Sequence, residues 1–169
     1  ISDYLIKPVN PNQVLLSLKK IIDNKRLVAE KTMTAYQQQF RELFMALNSN
    51  PNYNEWMEIY KKLVYWELEM VKSDSPELQE VLQNQKNEAN TEFFKFINKH
   101  YLSWLNPKSV DSPIMSHSLF RYKILPHIEK GVPTIWILID NLRYDQWKTI
   151  QPVFAENFRI SEEETFYSI

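Results

Sequence analysis

In the middle of the chain, apolar residues recur at intervals of three and four. Ala29, Met33, Tyr36, Phe40, Leu43 and Leu47 are separated by steps of 4, 3, 4, 3 and 4, the signature of a helix that packs one face in a bundle. Upstream, Val14, Leu15, Leu18, Ile21 and Ile22 form a similar face, which thins over Asp23-Asn-Lys-Arg26. No Gly or Pro interrupts Asn12 to Asn48, Pro11 suits a first helical position, and Asn10 suits the cap before it. The pattern predicts one helix from Pro11 to Leu47, roughly 55 Å long at about 1.5 Å per residue, a rigid lever between whatever lies at its two ends.

Two more helices follow. Asn48-Ser-Asn-Pro51-Asn52 is a turn by composition, and Trp56, Ile59, Tyr60, Leu63, Trp66 and Met70 then share a helical face. Ser73-Asp-Ser-Pro76 breaks that helix, with Ser75 placed to cap the next and Pro76 to start it. The third carries Leu78, Val81, Leu82, Ala89, Phe93, Phe96, Ile97 and Trp104. Three amphipathic helices joined by short polar turns predict an antiparallel bundle. Its aromatics sit at helical spacing without interleaved Lys or Arg, so they read as core, and Lys19-Lys20 and Lys61-Lys62 read as solvated faces.

The two ends of the chain are patterned differently. Ile1 to Ile6 is a short apolar run that stops at Lys7-Pro8. After a Pro-, Ser- and Asp-containing linker, Asn106 to Pro113, a short helix is expected from about Ser116 to Lys130, bent at Pro126 and closed by Gly131. Thr134 to Ile139 is uninterruptedly β-branched, aromatic or leucine, which predicts a strand buried on both faces of a mostly parallel sheet. A helix from about Arg143 to Asn157 and a second strand region from Arg159 to Ile169 follow. Strand, helix, strand begins a doubly wound α/β domain. Asp140 ends the first strand, where open sheets place metals and ligands; it reads equally well as the cap of the next helix.

Composition narrows the function classes. The net charge of -1 gives no global basic field to favour indiscriminate nucleic-acid or anionic-membrane binding. The absence of cysteine excludes disulfides and thiolate metal sites. No apolar run reaches the roughly 20 residues of a membrane span, and no signal peptide is evident. A single glycine in 169 residues leaves no glycine-rich phosphate loop. His100, His117 and His127 lack metal-ligand spacing and read as structural. Both ends begin or stop in strand-like sequence, so the chain reads as a piece of a longer protein.

Asp3-Tyr4-Leu5-Ile6-Lys7-Pro8 and the helix after it resemble the last strand and last helix of response-regulator receiver domains. The resemblance implies that Lys7 contacts the phosphoryl group on the acceptor aspartate and that Tyr4 is the switch aromatic. An ammonium is a good point-charge partner for phosphate. The acceptor aspartate and the acidic residues that hold magnesium would lie upstream. Taken alone, Lys7 reads as a solvated surface lysine.

Ile139-Asp140-Asn141-Leu142-Arg143-Tyr144-Asp145 resembles the opening motif of PglZ domains of the alkaline phosphatase superfamily, usually Asp-Gly-Leu-Arg-Tyr-Asp. Asn141 stands where the glycine is usual, and Asn tolerates the left-handed backbone. The resemblance implies that Asp140 is a ligand of a two-metal zinc centre. The threonine nucleophile would come a few residues after Ile169 and the remaining ligands further on. Arg143 could approach a substrate phosphate, or pair with Asp145 or a nearby Glu. Asp145 is a secondary candidate, or serves the positive end of its helix.

The order of receiver, helical bundle and PglZ domain is similar to that of PorX-type response regulators of the bacterial type IX secretion pathway. The expectation is therefore a mainly α chain in three parts: the end of an α/β receiver domain over 1–24, a central three-helix bundle over 25–110, and the start of a doubly wound, alkaline-phosphatase-like α/β domain over 111–169. That family implies a cytoplasmic protein with a sensor histidine kinase as partner, phosphorylation-linked homodimerisation and magnesium in the receiver. It also implies zinc in the output domain and hydrolysis of phosphate esters, oligonucleotide-like ones included. Two alternatives stay open. In one the phosphatase-like domain binds a sigma factor or a secretion-system component without catalysis, and in the other the middle is a purely structural bundle.

Overall fold

The computed structural model describes residues 11–73, 76–106, 112–131 and 133–168. Tyr4, Lys7, the run before Pro8, Asn10, Ser75 and most of the 106–113 linker lie outside the described residues. The molecule is mainly helical. The long helix predicted from Pro11 is continuous as α1 (Pro11–Asn48), followed by α2 (Tyr53–Ser73) and α3 (Pro76–Trp104). No helix is long and apolar enough to cross a membrane among the described residues.

The α1–α2 turn is built by asparagines. Asn50 takes a left-handed backbone, φ 56°, which Asn tolerates better than most residues. Asn52 then caps α2: its Oδ1 accepts the N–H groups of Asn54 and Glu55, and the Glu55 carboxylate accepts the Asn52 N–H at 2.7 Å. This reciprocal capping satisfies donors that the first turn of a helix leaves orphaned.

Residue packing divides the chain into two compact units. The first comprises the described residues of Ile1–Pro51 and Ile59–Ala89. Its core is the predicted faces of three helices: Tyr36, Leu43 and Leu47 from α1, Ile59, Leu63, Val64, Trp66 and Met70 from α2, and Leu78, Leu82 and Ala89 from α3. A buried polar side chain, Gln85, is hydrogen-bonded at both its oxygen and its nitrogen. Its Oε1 accepts the Tyr36 hydroxyl at 2.9 Å and its Nε2 donates to the Phe40 carbonyl at 3.2 Å, as a buried amide must. Burial raises the Tyr36 phenol to about 12. Met33, Tyr60 and Val81, expected on the apolar faces, are exposed. The first half of α1 is different: Leu15, Leu16, Leu18 and Ile22 are exposed, so its apolar stripe has no partner among the described residues.

The second unit comprises Asn52–Glu58 and the described residues of Asn90–Ile169. Here Trp56, Phe93, Phe96, His100 and Trp104 pack as a ladder of rings, with Trp56 against Phe93 at 5.2 Å and Phe96 against His100 at 4.8 Å. The His100 ring lies between those of Phe96 and Trp104 in this ladder. The expected helix over 116–130 consists of α4 (Ser116–Leu119), a π-helical turn (Phe120–Ile124) and α5 (Leu125–Glu129). The Leu125 N–H reaches back to the Phe120 carbonyl, and the widened turn sits immediately before Pro126, which has no N–H to keep an α ladder regular. Gly131, φ +69°, closes it with its N–H on the Ile128 carbonyl.

The strand expectations are not met among the described residues. Thr134–Ile139 is in no sheet, and its side chains are exposed, Ile135 at 90% and Leu138 at 81%. Among the described residues, the 159–169 region contributes a single parallel bridge, Met115 with Tyr167, including the Ser116 N–H to the Tyr167 carbonyl at 2.9 Å. The physical reason is pairing. A strand's N–H and C=O groups must be satisfied by neighbouring strands, and none lies beside 134–139 among the described residues.

Candidate functional site

The segment from Ile139 to α6 (Tyr144–Ala155) folds as a turn into a helix. Asp140 turns its Oδ1 onto the Asn141 N–H at 2.9 Å. Asn141 adopts φ 58°, so it makes the left-handed turn that a glycine would make there. The Gln146 side chain accepts the Arg143 N–H at 3.0 Å and closes the start of α6. Asp140 itself caps nothing beyond its neighbour, and it is exposed. No group of three His or acidic residues placed to hold a metal occurs among the described residues. Asp140 therefore offers one carboxylate donor, less than the ligand set a zinc centre needs.

Arg143 and Asp145 are brought together. The guanidinium donates to both carboxylate oxygens, Nε to Oδ1 at 2.9 Å and an Nη to Oδ2 at 2.8 Å. This two-pronged bond is the strong form of the pair, and it holds the Asp145 carboxyl below its ordinary value. Asp145 also sits in the first turn of α6, where a negative charge is favoured.

The residue that organises this region is one that the motif does not contain. Glu163 accepts the Tyr144 hydroxyl at 3.1 Å, the Trp147 indole N–H at 3.0 Å, the Lys148 ammonium at 2.9 Å and the Gln151 amide at 2.9 Å. Burial pushes the Glu163 carboxyl up, but the hydrogen bonds from Lys148, Trp147 and Tyr144 outweigh it and hold the group at about 2. The Tyr144 phenol is pushed up by burial and by that carboxylate. The signal was in the sequence: 144, 147, 148 and 151 are spaced i, i+3, i+4 and i+7, a single face of donors awaiting an acceptor.

Beyond Glu163, the chain is tied down residue by residue. Glu164 pairs with Lys123, and Lys123 also lies over the Phe166 ring at 5.6 Å. Thr165 donates to the Met57 sulfur at 3.4 Å, and the Tyr167 hydroxyl donates to the Tyr53 carbonyl at 2.7 Å. Burial raises the Tyr167 phenol. The structure thus places Asp140, Arg143 and Asp145 in one turn-and-helix start, and it locks the segment that follows α6 by charge and ring contacts.

Residues 26–105, just under half of the chain, match the PorX response regulator linker domain. The matched residues take in α1 from Arg26 onward and the whole of α2 and α3. No curated protein matches the chain.

Proposed function

We propose that the chain is a section of a PorX-type response regulator, in which the helices of α1 to α3 link a receiver to a phosphatase-like output domain. The observation that carries the reading is the match of residues 26–105 to the linker domain of that family. On its two sides stand the receiver-like residues Tyr4 and Lys7 and the PglZ-like Asp140 to Asp145. In this reading 1–24 ends the receiver, 25–110 is the linker bundle and 111–169 opens the output domain. The continuous α1 (Pro11–Asn48) carries motion from the receiver into the bundle, because a helix without a breaker bends little. The proposed setting is the cytoplasm, with a sensor histidine kinase as the phosphoryl donor and a homodimer as the active state.

The proposed output is metal-dependent hydrolysis of a phosphodiester. Asp140 would supply one ligand to zinc, its carboxylate held in place by the Asn141 N–H, with the other ligands provided from elsewhere in the intact protein. Zinc when bound supplies a lowered pKa to the nucleophile and a counter-charge to the phosphoryl oxygens. The exposed run 134–139 would be covered once neighbouring strands pair with it. Arg143 is engaged by Asp145, so its role in this reading is to fix the helix start rather than to bind phosphate.

The test is made on the intact protein, by elemental analysis of zinc and by turnover of a chromogenic phosphodiester. Asp140→Asn is expected to lose zinc and hydrolysis together. Unchanged zinc stoichiometry would remove Asp140 from the centre. Zinc loss with no hydrolysis in the parent either would favour an output domain that acts by binding a partner.

A further inference from the structure

The first unit carries an open groove of about 450 Å³ between α1 and α2. Ala35, Gln38 and Gln39 fall on one face of α1 by the three-and-four spacing, as Lys61, Lys62, Tyr65 and Trp66 do on α2. Ala35 adds only a Cβ to the wall. The lining contains two ammonium groups and no carboxylate. Lys62, Gln38 and Gln39 make no side-chain hydrogen bond among the described residues. Tyr65 is 55% exposed, so much of its ring is open to solvent, and it stands edge-on to the buried Trp66 at 5.2 Å.

That support is rigid. Trp66 packs on Tyr36 at 5.2 Å, and Tyr36 is held by the Gln85 amide, which is itself tied to the Phe40 carbonyl. The groove therefore has a fixed floor, a flat ring at its mouth, cations to one side and free amides on the other. A nucleobase stacks on an exposed aromatic side chain, and ammonium groups pair with phosphate as point charges. The volume is within the roughly 300–1,000 Å³ of small-molecule sites.

We propose that the groove formed by Gln38, Gln39, Lys61, Lys62 and Tyr65 binds a free mononucleotide, its base stacked on Tyr65 and its phosphate beside the lysines. An acidic peptide would pair with Lys62 but leave the Tyr65 ring and the Gln38 and Gln39 amides unused. The proposal concerns the helical unit and does not rest on the hydrolytic reading of Asp140.

The experiment is isothermal titration of the chain with adenosine 5′-monophosphate, adenosine, inorganic phosphate and a four-residue oligoadenylate, in about 150 mM salt to screen loose ion pairing. Saturable binding of the monophosphate is expected, with adenosine and phosphate at least about tenfold weaker. Lys62→Glu and Tyr65→Ala, both at exposed positions, should each weaken it by about tenfold or more while leaving the helical circular dichroism unchanged. Four results would overturn the proposal: no saturation by the monophosphate, equal binding of phosphate alone, unchanged affinity in both variants, or an oligonucleotide more than about tenfold tighter than the monophosphate.

Discussion

The second half of α1 and the run Thr134–Ile139 are both strongly apolar, yet Tyr36, Leu43 and Leu47 are buried while Ile135, Ile137 and Leu138 are exposed. A helix satisfies its own backbone, so its apolar face needs only another face to lie against, and α2 and α3 supply it within the same unit. A strand needs a neighbour to satisfy its backbone before a layer packed on its face can cover its side chains. The contrast repeats inside α1, where the half before Asp23 keeps its apolar stripe and lacks a partner among the described residues. Apolar pattern announces a demand for burial; which element meets it depends on the rest of the fold.

The strongest way to break the comparison is in the helical core. Met70 is fully buried, and Met70→Ala should cost about 2–5 kcal/mol through lost contact and a cavity, read by urea denaturation. A cost below about 1 kcal/mol would mean that the core is loosely packed. Lys25→Pro should cost roughly 3 kcal/mol locally and separate the two halves of α1. Hydrogen exchange should show protection lost around residues 21–25 while Tyr36 and Leu43 keep theirs. Loss of protection along all of α1 would instead show that the first half supports the second.

A milder effect is expected at the Glu163 hub. Its folded-state value lies near 2 and below the ordinary 4.5, so its contribution is present above about pH 4.5 and is lost as the pH falls through about 2. The hub is partly open to water, so solvent screening keeps the contribution small, about 1 kcal/mol or less. Fluorescence of Trp147, whose indole N–H donates to Glu163, should report that window, and Glu163→Gln should flatten the profile. A transition that persists in the variant would place the titrating group elsewhere. The smallest effect is expected at Ile137, which is 75% exposed. Ile137→Lys should change the stability of this chain by less than about 0.5 kcal/mol. A large cost would show that the run is covered after all.

Local signals made much of the helical architecture readable. The absence of breakers from Asn12 to Asn48, Pro76 at a helix start and Gly131 at a helix end each act over a few residues, and each appears where the pattern places it. The same holds for the turn at Asn141, where a left-handed backbone is a property of one residue type. The strand expectations read the same kind of local pattern and went further than it reaches, because pairing is not a local property.

The amino-acid sequence by itself determined where helices start and stop, which faces are apolar and which carboxylate stands at the Asp140 turn. These follow from backbone sterics, hydrogen-bonding capacity and a period of 3.6 residues, all set within a turn or two of chain. Tertiary structure alone decided that Glu163 gathers Tyr144, Trp147, Lys148 and Gln151, and that Gln85 joins Tyr36 to the Phe40 carbonyl across 49 and 45 positions. Those contacts join groups far apart in the chain, and only the packing of one element on another brings such groups within bonding distance.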